Sequence, residues 1–282
     1  MSTQTSSPYD PSTPADQREI RIVSHSNLFY WWPLWAVGFI LAALSGLDNH
    51  FMAIVPKDTM PLREVKVIER SGTEHDDVDV LYASGKTLPP KHSDTPQKPH
   101  LRMAQSPSYG VLFTIVLLLL IIITNVPLRG LWSLVVIVVI VLLSIILALA
   151  DWWRPILDAL YSLHIYINVA GYVLISATLF AIWLATFYLF DPQIYMVFTP
   201  GQLRVRQEIG GGEAAYDTAG MVIQKQRNDL FRHWILGLGS GDLIVNTSGA
   251  TAHHFDLPNV LFVGYKVRQI EDMLREKAVV QG

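Results

Sequence analysis

Gly237, Gly239 and Gly241 stand at alternate positions in Leu236-Gly237-Leu238-Gly239-Ser240-Gly241-Asp242. A glycine loop that cradles phosphate lies between a strand and a helix whose N-terminus faces the anion. Here strand-like alternation follows Gly241, so the run reads as an ordinary inter-strand turn. His253 and His254 are adjacent, and neighbours on a strand face opposite ways, which suits no shared metal. No further ligand stands at a fixed spacing from them. His75-Asp76-Asp77, His50, His92 and His100 fall in polar sequence and read as solvated. Asp151, Arg154, Asp158 and His164 are ionisable groups near apolar runs, where charge is costly and often functional. A membrane enzyme or transporter using that segment is one reading. The four residues sit between two runs beside Trp152 and Trp153, which favours anchoring at the headgroups. No charge stands inside a run, and Asn125 and Asn168 are at run ends. Asn246-Thr247-Ser248 matches a glycosylation acceptor and reads as chance in a turn. No Ser–His–Asp arrangement, paired carboxylates or metal motif stands out. With no cysteine among 282 residues, disulfides, thiolate metal sites and thiol catalysis are excluded. No catalytic residue, metal or cofactor is assigned, and the chain is not expected to be an enzyme.

The elements that would position these residues are dominated by blocks without charge. Charged residues make up 16% of the chain and apolar residues 51%; typical soluble domains carry about 25% charge. The near-neutral balance of 21 basic and 24 acidic residues argues against a nucleic-acid partner. Crossing roughly 30 Å of hydrocarbon takes about 20 apolar residues in a helix. Four spans follow, at 28–47, 109–128, 130–150 and 167–190. Val111–Ile123 and Leu134–Leu149 are nearly pure Val, Ile and Leu, apolar on every face. Leu128-Arg129-Gly130 leaves room only for a tight turn, which predicts an antiparallel hairpin of the second and third spans. Trp31, Trp32, Trp152, Trp153 and Arg154 mark span ends as interfacial anchors.

Between the spans the composition changes. Residues 1–27 are rich in Ser, Thr and Pro and lack an apolar period, which predicts a disordered tail. The loop 48–108 is polar, with two alternating stretches, Glu64–Ile68 and Asp77–Leu81, suited to pair as a small strand element. Thr87–Pro107 reads as linker. The segment 151–166 holds a short interfacial helix. From 191 to 282 alternation takes over, with strands around Leu203–Ile209, Met221–Gln226, Asp242–Asn246 and Thr251–Phe255, and a turn at Gly210-Gly211-Gly212. Pro258 then opens a helix whose stripe is Val260, Val263, Val267, Ile270 and Leu274.

Tyr195-Met196-Val197-Phe198-Thr199 with Gly201, Leu203 and Val205 resembles the opening of the bacterial membrane-associated pleckstrin-homology family. Gln224, Arg227, Leu230, Ile235–Gly239, Gly241-Asp242, Ile244, Thr247-Ser248-Gly249 and Leu257-Pro258-Asn259-Val260 are similar to that family's pattern in order and spacing. The resemblance covers the C-terminal third alone. It implies a seven-stranded pleckstrin-homology barrel with a C-terminal helix, in a family whose members often carry membrane helices and whose activity is mostly undefined. The fold class expected is therefore membrane α-helical, with four transmembrane helices and a C-terminal mainly-β barrel capped by one helix.

The expected role is non-catalytic: an interaction or scaffolding module in a membrane assembly, with lipids and other membrane proteins or further copies as partners. An anionic-lipid-sensing or envelope-stress module is the alternative. It would use Arg204, Arg206, Lys225, Arg227 and Arg232 at headgroups, each worth about 1 kcal/mol near an anionic leaflet. Glu208, Glu213, Asp217 and Asp229 are interspersed, which also fits a solvated face. Gly210–Tyr216 lacks the dense basic loop of an inositol-phosphate pocket. Four spans place both termini on one side, and the basic residues near the two membrane faces number five against six. Charge therefore decides no orientation. The resemblance implies an inner-membrane protein with cytoplasmic termini.

Overall fold

The computed structural model describes residues 19–68, 72–83, 99–126, 130–206, 211–227, 229–248 and 252–280. The chain has four helices long and apolar enough to cross a membrane, at Asn27–Leu47, Ser108–Asn125, Leu131–Leu149 and Val169–Gln193. The first opens with a 3-10 turn, Asn27–Trp31, and continues as α1, Trp32–Leu47, with Pro33 in its first turn where a missing N–H is harmless. Helix α2 is Ser108–Asn125 and α3 is Leu131–Leu149. A short amphipathic helix α4, Trp153–Tyr161, separates α3 from α5, Val169–Ala185. Asn168 caps α5 by accepting from the Gly171 N–H at 2.6 Å. The fourth span then runs on through a π-helical turn, Thr186–Phe190, to Gln193.

Helices α1 and α5 pack most closely. A Cβ on Gly38 would overlap Ser176 Oγ and come within 3.0 Å of the Phe113 ring of α2. In hydrocarbon, small residues of this kind let backbones approach where no hydrophobic drive exists. Leu34, Leu41, Phe113, Leu120 and Tyr172 fill the space between these three helices. Helix α3 behaves otherwise. Its side chains are exposed round most of the circumference, only Ser133 being buried. The second and third spans, expected to form an antiparallel hairpin, make little contact with each other; residues 127–129 between them lie outside the described residues. Leu131–Leu147 offers no Gly or Ala for close approach, so this helix presents branched side chains all round, as a lipid-facing span does.

On one side of the bundle, strand β2 (His50–Met52) pairs antiparallel with β5 (Leu101–Met103). There β3 (Met60–Ile68) also pairs with β4 (Glu74–Tyr82), with Val65 opposite Val78, so the expected strand element is present, its first strand starting earlier and its second longer at both ends. Of the linker expected at Thr87–Pro107, residues 87–98 lie outside the described residues, and Leu101–Met103 is not linker but strand β5.

On the other side lie β6 (Tyr195–Phe198), β7 (Gln202–Arg206), β8 (Ala214–Asp217), β9 (Val222–Gln226), β10 (Gly241–Asn246), β11 (His254–Val260) and helix α6 (Val263–Val280). A further strand, β1 (Ile20–Val23), comes from before the first span and pairs antiparallel with β6, Ile20 opposite Phe198 and Val23 opposite Tyr195. The sheets are β1-β6-β7-β8 and β11-β10-β9. Ile22, Met196 and Val205 meet Leu243, Val245, Leu257 and the α6 side chains Val263, Val267, Ile270 and Met273 in one core.

Three expectations need correction here. Residues 20–27 are not a disordered tail: Ile20 and Ile22 alternate with Arg21 and enter the core of the domain, and Ile22 is fully buried. Residues 1–18 lie outside the described residues. The last helix begins at Val263, not Pro258. The alternating burial of Phe255, Leu257 and Asn259 carries the strand through the proline, which an edge strand tolerates. Third, the strands do not close into a barrel: no ladder joins the two sheets among the described residues.

Candidate functional site: the junction between bundle and domain

The chain leaves the domain for the membrane after Val23 and returns at Tyr195, and these residues face each other across the β1–β6 ladder. The α1–α5 helix pair thus continues as a strand pair. Buried polar groups close the junction around it. The Ser24 N–H donates to the Ile194 carbonyl at 3.0 Å, and Ser24 Oγ donates to the Pro258 carbonyl at 2.9 Å. Asp191, at the end of the fourth span, accepts from the Ser26 N–H at 3.2 Å and meets His25 Nδ1 at 3.0 Å. The His25 ring stacks on Phe187 of the π-helical turn, centroids 4.9 Å apart. The Trp183 indole N–H donates to the Phe29 carbonyl at 3.1 Å. The Trp32 indole donates to the Leu236 carbonyl at 2.9 Å.

Asn259 sits at the centre of this network, 3% exposed, with φ 56°. Asparagine adopts this left-handed backbone more readily than most residues. Its Nδ2 donates to the His25 carbonyl at 2.9 Å and to Asn27 Oδ1 at 3.1 Å. Its Oδ1 accepts from the Tyr30 hydroxyl at 2.8 Å. Tyr30 O also meets Ser240 Oγ at 3.1 Å and His233 Nδ1 at 3.3 Å. His233 Nε2 is 3.7 Å from Asp242 Oδ2, and Asp242 Oδ1 accepts from the Asn259 N–H at 3.0 Å. Burial pushes the Asp242 carboxyl up, but His233, the Asn259 N–H and the Arg232 charge outweigh it and hold the group below its ordinary value. With the proton on His233 Nε2 toward Asp242, Nδ1 accepts from Ser240 Oγ at 3.3 Å while the Tyr30 hydrogen goes to Asn259. Beside them Asp229, 2% exposed, accepts from Arg232 Nε at 2.7 Å.

Ser240, His233 and Asp242 therefore stand in the order of an activated nucleophile, although no spacing in the sequence announces it. The serine is sealed. It is fully buried, His233 is 1% exposed, and a Cβ on Gly237 would overlap Ser240 Oγ. The arrangement joins Tyr30 of the first span to the domain and leaves no path for a substrate to the hydroxyl.

The residues singled out from sequence are scattered. Arg204 and Arg206 lie on β7 of the first sheet, and Lys225 on β9 of the second. Arg204 faces Glu213 at 4.0 Å. Arg227 donates to the Gly239 carbonyl at 3.0 Å, and Arg232 is committed to Asp229 with its side chain 12% exposed. The five do not form one basic face. Asp151, Arg154, Asp158 and His164 are exposed, with no ion pair among them. Trp152 and Trp153 are exposed at the same end, while Trp31 and Trp32 are half-buried against the junction. Gly237–Ser240 turns between a π-helical turn, Phe231–Leu236, and β10. His254 pairs with Asn246 Oδ1 at 2.7 Å, and His253 stacks on Phe255. Among the described residues no group of three or more His, Asp or Glu gathers. The sequence missed His25, Tyr30, Asp191, His233, Ser240 and Asn259 as a group. The hints were Asn259 within the Leu257–Val260 stretch quoted for the family resemblance and Ser240 within the glycine run Leu236–Asp242.

No protein-family model, curated protein or solved structure matches the chain.

Proposed function

We propose that the chain is a membrane-anchored, non-catalytic interaction module whose pleckstrin-homology-like domain is interrupted by its own membrane helices. One observation carries the reading: the β1–β6 ladder with the polar junction around Asn259, which fixes the domain to both the first and the fourth span. Seven strands and one terminal helix are the set the family resemblance implies. Taken in chain order they are β1, β6 to β11 and α6, with strand one on the far side of the bundle insertion. A domain held at two points keeps its free sheet edges, β8 and β9, at a set distance from the bilayer, where strand addition by a partner can use them. The family resemblance places the domain in the cytosol.

Native mass spectrometry of the intact protein, extracted from its own membrane, tests the reading. A fixed multiple of the chain's own mass, or a stoichiometric second protein, is expected. A bare monomer under conditions that preserve a known complex from the same membrane overturns it. The competing enzyme or transporter reading requires Asp151→Asn or His164→Ala to abolish function in a folded protein; little effect is expected.

A further inference from the structure

We propose that the β3–β4 ribbon is a self-association surface, its apolar face stacking on the same face of a second copy of this chain in the same membrane. The ribbon lies at the opposite end of the bundle from the edges of β8 and β9. It therefore adds a surface to the interaction reading above, and either can fail alone.

The register carries the argument. In a regular strand, residues an odd number apart face opposite ways. Leu62 and Val65 are three apart, and so are His75 and Val78. Yet Leu62 lies opposite Val80, Val65 opposite Val78, and Val67 opposite His75. Two bulges reconcile the spacing. Arg63 and Glu64 together oppose Asp79, and Asp76 and Asp77 together oppose Lys66. Each bulge holds a charged residue in the left-handed region, Glu64 at φ 55° and Asp77 at φ 57°, at a cost in backbone strain. The result is that Leu62, Val65 and Val67 share one face with Val78, Val80 and Tyr82. The charges turn to the other face, where Lys66 pairs with Glu74 at 2.7 Å and Asp76 at 3.7 Å.

No other described segment covers the apolar face. Neither strand contains a buried residue, and Met60 and Tyr82 are 64% and 53% exposed. Apart from proline, residues 84–98 offer a single apolar side chain, Leu88. A two-stranded ribbon is marginal in water unless a further layer packs on it.

Charge and area name the occupant. The two strands carry five acidic residues against two basic, which repels an anionic leaflet. The apolar face holds no carboxylate, amine or guanidinium to select an unlike partner, whereas two identical faces bury apolar surface on both sides. A face of about 30 Å by 10 Å offers about 300 Å² per copy, against about 800 Å² per partner in a stable complex. Such a contact holds only molecules already concentrated at one height in one membrane. A second copy meets that condition, because its ribbon stands on an identical bundle.

Alternation was readable within Glu64–Ile68 and Asp77–Leu81. The common face was not, because Arg63-Glu64 and Asp76-Asp77 break the period of two.

The test uses the full-length protein in its membrane, with two differently tagged copies co-expressed. With no cysteine in the chain, single-cysteine variants are oxidised directly. Leu62→Cys and Val80→Cys, on the apolar face, are expected to give a disulfide-linked pair that carries both tags. Arg63→Cys and Leu81→Cys, on the other face and exposed, should give little. Leu62→Glu should cut the Val80→Cys yield about tenfold, because a charge is then buried without a partner. Leu62 is 41% exposed, so the single chain does not need it to fold. Arg63→Glu should leave the yield unchanged. Equal linking from both faces overturns the surface, as does no linking from the apolar one. Linking to a different protein also overturns it. So do apolar-face cysteines shielded from an impermeant thiol reagent without linking, which puts the bilayer on this face. An undiminished yield in the Leu62→Glu protein overturns the ribbon and leaves the β8 and β9 edges untouched.

Discussion

Asn259 meets two demands that few side chains meet together. Its backbone is left-handed, and its amide must donate to residues 25 and 27 while accepting from Tyr30. Asn259→Ala leaves three buried polar groups short of a partner and strains the backbone, for a loss of about 3 kcal/mol. Asn259→Gly relieves the strain alone and should recover part of that loss; melting of the two variants in detergent separates the terms. Asp242 makes a second residue-scale prediction. Its pKa is lowered in the fold, so its contribution is complete above the ordinary value of 3.8 and is lost as pH falls below it. Asp242→Asn should therefore be less stable than wild type at neutral pH, with the gap narrowing on acidification below about pH 4. A gap independent of pH would remove the carboxylate from the account. Both residues stood in stretches quoted for the family resemblance, but their part in a buried network was not legible beforehand. Their partners lie from nine positions away, His233 to Asp242, to 234 positions away, Asn259 to His25, and a network of single polar residues leaves no period in a sequence.

Elements were legible in proportion to their length. Four charge-free runs of more than twenty residues announce spans, because nothing else in a protein needs that much uninterrupted apolar sequence. The β3–β4 pairing and the apolar stripe of α6 were read from alternation and from steps of three and four. Strand β1 was not, because four residues hold two inward side chains and one outward charge, too few to rise above a polar tail. Its partner strand lies beyond four spans. Two element-scale predictions follow from the packing. Ile22→Ala should destabilise the C-terminal domain by about 3 kcal/mol, read as faster proteolysis of residues beyond 191, although the substitution lies before the first span. Val23→Ala, on the outer face, should matter far less. Gly38→Val drives a side chain into Ser176 and Phe113 and should lower the melting temperature of the bundle by several degrees. Gly46→Ala, which meets nothing within 4 Å, should not.

At the scale of the whole molecule, the chain threads one domain twice. Residues 20–23 start it, four spans intervene, and residues 195–280 complete it. Movement between the first and fourth spans must pass into the β1–β6 ladder, since Val23 and Tyr195 are both membrane exits and ladder partners. The central claim is that this pairing occurs within one chain, and the absence of cysteine makes it directly testable. Opposed residues on antiparallel strands have Cα atoms about 4.5–5.5 Å apart, within the range a disulfide bridges. The measurement is oxidation of Val23→Cys/Tyr195→Cys protein in its membrane, followed by cleavage at a protease site placed in the loop between the first two spans. The account predicts that the two fragments stay joined by an intramolecular disulfide, and that Val23→Cys/Val197→Cys protein, two residues out of register, yields little. Separate fragments, or disulfides formed only between chains, would contradict it.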